Sequence, residues 1–158
     1  MSLRLYILFK FPDENYNLGK IAERINVKHA GMAAVRNGVI DLHGPWPGYI
    51  DEAYNLGLNS FSPLYCFSFW CYWNDVLVNL NFRQYVMSVC DALGVREWWY
   101  IEENSIDLYV EMPAEELEAA LASAIGIEDF EMSTYFPASS HHLFHDSSQK
   151  VKHLMGLA

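Results

Sequence analysis

The chain has 158 residues, 52% of them hydrophobic and 15% aromatic, enough apolar material for one substantial core and for the expectation of a single domain over 1–158. Ten Lys and Arg stand against 20 Asp and Glu, and the resulting net charge of -10 repels phosphate backbones, which argues against nucleic acid and leaves a basic protein surface, a cationic ligand or simple solubility as its use. No stretch approaches the roughly 18 consecutive apolar residues of a membrane span, and three cysteines in a chain that needs no staples read as free buried thiols of a cytoplasmic protein.

Leu3, Leu5, Ile7, Phe9 and Phe11 alternate with Arg4, Tyr6, Leu8 and Lys10 until Pro12, which predicts a strand rather than a signal peptide. Leu18, Ile21, Ala22 and Ile25 fall at helical spacing behind Asn15 or Asn17, either of which can cap a helix reaching about Val27. Asn37-Gly38 signals a turn and Val39 to Leu42 a short returning strand, so residues 1–62 read as a βαβ-like extension. Two prolines in Gly44-Pro45-Trp46-Pro47-Gly48 remove amide protons and make this a rigid loop. Trp46 is then either a platform for a partner or a lid folded back on the core. Ile50 to Leu58 has room for one or two helical turns.

Pro63 to Asp75 is the most apolar run, with Tyr65, Phe67, Phe69, Cys71 and Trp73 on one strand face and Leu64, Cys66, Ser68, Trp70 and Tyr72 on the other. A strand apolar on both faces needs cover on both, which predicts the centre of a sheet. Asn81 then caps a helix with Phe82, Val86, Val89, Cys90 and Leu93 as its stripe and Gly94 at its end. Trp98 to Ile101 reads as a strand. Ile106, Leu108, Val110 and Met112 alternate with Ser105, Asp107, Tyr109 and Glu111, predicting another. Pro113 opens a helix with Glu115, Glu116 and Glu118 near its positive end and Leu117, Ala120, Leu121, Ala124 and Ile125 buried. Phe130, Met132, Thr134 and Phe136 predict a final strand.

The expected fold is α+β: a mainly antiparallel sheet with helices on one face, residues 64–136 in ferredoxin-like βαββαβ order, and a tail over 138–158. Helices on one face leave the other bare, and the N-terminal 60 residues or a homodimer partner would have to cover it.

The only dense group of metal-ligand types is His141, His142, His145 and Asp146. If helical, His141 and His145 share a face at i, i+4 and Asp146 adds a carboxylate; no accompanying Cys or Glu pattern supports a metal, and no cofactor is expected. Residues 97–131 hold 11 of the 20 acids and no Lys or Arg, which reads either as a solvated acidic face or as a docking surface. Glu103, Asp107, Glu111 and Glu131, edged by Tyr109 and Tyr135 and joined by Trp46, form the expected contact face: acidic charge speeds encounter with a basic protein, and aromatics anchor it. The phosphate-loop, dinucleotide, zinc-protease and serine-hydrolase motifs are all missing. The sequence therefore points to a non-catalytic binding module of the inhibitor, antitoxin or immunity type acting on a basic partner. The alternative is a small-molecule binder or enzyme with a pocket built from Trp46, Trp70, Trp73, Trp98 and Trp99 and a histidine-containing site.

Overall fold

In a computed structural model that describes residues 3–12, 17–71, 79–129 and 142–157, the aromatic run does form the middle of a sheet. Strand β5 (Leu64–Cys71) lies between β1 (Leu3–Lys10) and β4 (Gly48–Glu52). The remaining strands are β2 (Ala33–Arg36), β3 (Val39–Leu42), β6 (Glu97–Glu102), β7 (Ile125–Gly126) and β8 (Phe144–Ser147), giving the order β2-β3-β4-β5-β1-β6-β8-β7 among the described residues. Every neighbouring pair is antiparallel except β7 with β8. The fold is α+β.

Helix α1 (Leu18–Lys28) starts where the Asn17 side chain accepts a bond from the Lys20 amide at 3.0 Å, and α2 (Leu80–Ala92) starts at Asn79, two residues before the expected cap. Pro113 opens α3 (Ala114–Ala122), with Glu115 and Glu116 in its first turn. Ile125, expected on that helix, instead begins β7. A short helix α4 (Ser148–Leu154) follows β8, capped by the Ser147 hydroxyl. Asn37 and Gly38 both have positive φ, 51° and 81°, the backbone of the tight hairpin turn that joins β2 to β3.

Alternation along the strands builds two cores. Leu5, Ile7 and Phe9 of β1, Phe67 and Phe69 of β5, and Trp98 and Tyr100 of β6 face α1, α2 and α4 through Ile21, Ile25, Phe82, Val86, Val89 and Val151. Tyr6, Leu8, Cys66, Trp99 and Ile101 face the other way, onto Leu117 and Leu121 of α3 and onto Ala53 and Leu58. Helices therefore cover both faces, which corrects the one-faced arrangement. Cover for the second face comes from residues 53–58 and from 106–124 of this chain.

The ferredoxin-like order fails at residues 105–112. Glu103–Leu108 is a 3-10 helix, and the turn after it carries Tyr109 to Met112. Both edges of β6 are already occupied, by β1 and β8, so no strand position was open there. The segment contains a second period that the structure uses: Ile106, Tyr109 and Met112, three apart, all pack on the second core. What survives is the split βαβ itself. Strands β5 and β6, joined through α2, both run antiparallel to β1, which lies between them. The strand expected at 130–136 lies outside the described residues.

Candidate functional site

The acidic segment is locked beside the 3-10 turn Ala53–Leu56 by backbone geometry. The Glu111 amide donates to the Gly57 carbonyl at 2.8 Å, and the Asn59 side-chain amide donates to the Met112 carbonyl at 3.1 Å. Gly57 sits at φ 83° with Val110 against it; a Cβ there would meet Val110 Cγ1 at 2.9 Å. Glu111 itself holds φ at 60°, a left-handed backbone that a glutamate adopts only at a cost.

This docking sets three large apolar side chains in water: Tyr54 at 73% exposure, Leu108 at 55% and Val110 at 36%. Around them lie Glu52, Asp107 and Glu111, all exposed, and half-buried Glu103. Other acids of the 97–131 stretch are engaged elsewhere: Glu128 pairs with Lys150 at 3.1 Å, Glu118 with Lys10 and the Ser60 hydroxyl, and Glu97 lies 3.2 Å from His145 Nε2. Glu102, Glu103, Asp107, Glu111, Glu115 and Glu116 make no ion pair among the described residues. Burial pushes the Glu102 carboxyl above its usual range; the Ser105 hydroxyl opposes that shift and the charge of Glu103 adds to it. Tyr109, expected at the edge of the contact face, is half-buried, and burial raises its hydroxyl pKa.

Trp46 is the lid. Its ring packs edge-on against Phe82, with centroids 5.4 Å apart, and tilted against Tyr85 at 5.6 Å, so it belongs to the first core and not to the acidic surface. Glu131, Tyr135 and His141 lie outside the described residues. His145 and Asp146 are on strand β8, not on a helix, and successive strand residues point to opposite faces. They cannot share a metal. Asp146 is fully buried and accepts from Arg83 Nε at 2.8 Å and Nη2 at 2.6 Å, and from the Tyr100 hydroxyl at 2.8 Å, which in turn accepts from Trp98 Nε1 at 2.9 Å. His145 lies against Trp99 with Lys150 Nζ at 3.2 Å from its Nδ1 and Glu97 at 3.2 Å from its Nε2. No group of three or more His, Cys, Asp and Glu among the described residues has the arrangement of a metal site.

The tryptophan pocket does not form from its described members. Trp98 is buried on one face of the sheet, Trp99 on the other, and Trp70 is 61% exposed. Trp70 instead completes a stack that sequence reading missed. The Arg4 guanidinium lies 4.6 Å from the Trp70 ring and 5.5 Å from Tyr49, donates to the Tyr49 hydroxyl at 3.0 Å, and has no carboxylate partner among the described residues. Register gives the signal in retrospect, since Arg4 pairs with Trp70 and Tyr49 with Ser68 across adjacent strands. Cys66 and Cys90 offer no nucleophile: burial pushes the Cys66 thiol up to about 12 and the Cys90 thiol well above its ordinary value.

No protein family, curated protein or solved structure matches this chain. The functional reading rests on the geometry.

Proposed function

We propose that this chain is a non-catalytic protein-binding module that neutralises a basic partner protein, in the manner of an inhibitor or an immunity protein. The observation that carries the reading is the set of exposed Tyr54, Leu108 and Val110 held among acids without ion-pair partners. Unpaired acids raise the rate of encounter with a basic surface, and desolvated apolar anchors slow dissociation. The backbone bond from Glu111 to Gly57 supports the reading further, because a surface fixed before binding loses less entropy on association. The strained Glu111 backbone is consistent with selection for a side chain at a position where glycine would sit more comfortably.

The test is an affinity capture from native host extract at low salt, using the wild-type chain and an Asp107→Lys/Glu111→Lys variant. A basic protein held by the wild type, released at moderate salt and not held by the variant is the expected result. A partner retained equally by both proteins refutes the acidic-face reading.

A second reading has one observation behind it. The Ser105 hydroxyl lies 3.2 Å from His142 Nδ1 and 3.5 Å from Glu102 Oε1, the residue types of a nucleophile and its base. Ser105 is 8% exposed, and here the serine, not the histidine, bridges the other two, unlike a serine-hydrolase relay. Labelling of Ser105 by a fluorophosphonate probe, abolished by His142→Ala, would establish this enzyme reading over the binding one.

A further inference from the structure

Beside the acidic surface a cleft of about 630 Å³ opens between the end of β4 and the loop that leads into β5. Tyr54, Phe61 and Tyr65 supply aromatic walls, and among the described residues Glu52 is the only charged one that lines it. Phe61 is 68% exposed, a large ring in water for which the cores provide no reason. Glu52 makes no ion pair among the described residues. Its carboxylate stands across the β4–β5 pair from Tyr65, and after burial its charge is the next cause that raises the Tyr65 hydroxyl pKa, so its field acts inside the cleft.

The walls are fixed. Ser60 donates to Glu118, Asn59 donates to the Met112 carbonyl, and the Pro63 carbonyl accepts from the Phe11 amide at 3.0 Å. The Asn59 bond also ties the cleft to the acidic segment, so one partner can meet both.

We infer that this cleft is the seat for an arginine side chain of the basic partner, an inference that rests on the partner-binding reading above. A planar guanidinium stacks on aromatic faces and takes a carboxylate along its edge, and both are present here on one concave surface. A neutral ligand would leave Glu52 unanswered. An anion would be repelled by Glu52 and by the acids next to it.

The experiment is a titration of the full chain, followed by amide chemical shifts, with N-acetyl-arginine amide and with its neutral isostere N-acetyl-citrulline amide. The expected result is movement of the Glu52, Tyr54, Phe61 and Tyr65 signals with the arginine derivative, falling to the citrulline level in Glu52→Gln. Equal responses to the two compounds, or shifts that map to Arg4 and Trp70 instead, overturn the inference. Against the captured partner, Glu52→Gln and Phe61→Ala should each weaken binding about tenfold. Both side chains are exposed, so neither change threatens the fold. If the partner binds the acidic face and both variants hold it at wild-type strength, the arginine seat is wrong and the partner reading stands. If the arginine derivative binds the cleft while no basic protein is captured, the seat stands and the partner reading fails.

Discussion

Asp146→Asn removes the carboxylate to which buried Arg83 is hydrogen-bonded. In the native protein the carboxylate accepts from Arg83 at 2.8 and 2.6 Å, from the Tyr100 hydroxyl at 2.8 Å and from the Ser147 amide at 2.9 Å. The Asp146 side chain has no exposure and that of Arg83 has 8%. An asparagine keeps the shape but turns an NH2 group toward donors, and the buried guanidinium keeps its charge without the carboxylate it is hydrogen-bonded to, leaving only the weaker influence of Glu128. Breaking a buried pair from one side costs about 3–5 kcal/mol. For a chain of this size that is a fall in Tm of roughly 6–20 °C. The partner change tests the cause. Arg83→Met combined with Asp146→Asn leaves no unbalanced charge and should recover at least half of the loss. Urea unfolding followed by tryptophan fluorescence reads both, with the midpoint moving at constant slope. A single-variant cost under about 1 kcal/mol, or a double variant no more stable than the single, would refute the assignment of Asp146 as a structural counter-ion.

Two further outcomes follow from the sheet. A Cβ at Gly48 would run into the Ser68 carbonyl oxygen on the neighbouring strand, so Gly48→Ala should cost about 1–3 kcal/mol in the same urea assay, and a neutral result would mean β4 and β5 are not this close. At Glu118, burial alone would raise the carboxyl, but the bonds from Lys10, Ser60 and the Phe61 backbone and the charge of Lys10 more than reverse it, and its pKa lies below the ordinary value. A depressed carboxylate contributes stability above its unfolded pKa of about 4.3, and that contribution is lost as the pH falls through the folded value. Lys10→Met should therefore lower stability at pH 6, by no more than about 1 kcal/mol for a partly exposed pair, and by much less at pH 3; an equal loss at both would exclude the linkage.

Strands with one unambiguous period were legible. Leu5, Ile7 and Phe9 point where their alternation says, and the doubly apolar run at Leu64–Cys71 is indeed in mid-sheet. Residues 105–112 misled because Ile106 begins two patterns at once, a period of two through Leu108 and Val110 and a period of three through Tyr109 and Met112. Local sequence cannot rank them. The decision came from β1, more than eighty residues upstream, which occupies the edge of β6 that such a strand would need. Among site residues, the charges at Asp107 and Glu111 were legible as a local run, and the lid role of Trp46 was one of two readings its prolines allowed. Tyr54 and Phe61 carried no signal, because each stands alone among polar neighbours and acquires meaning only when the cleft brings them together. Asp146 was visible as a ligand type, but its true partner Arg83 is on a helix far away in sequence.

The position of β1 between β5 and β6 also bears on the order of events at the ribosome. This strand is made before either neighbour, and those neighbours begin only at Leu64 and Glu97. At about 5–20 residues per second, Leu5 to Phe9 wait for seconds with both edges unpaired, during which an apolar strand is open to other chains. Arg4 and Lys10, at the two ends of the strand, are the charges that can hold such encounters off. The meander β2-β3-β4, whose pairings are local, can close in the meantime and present the far side of the slot into which β5 must settle.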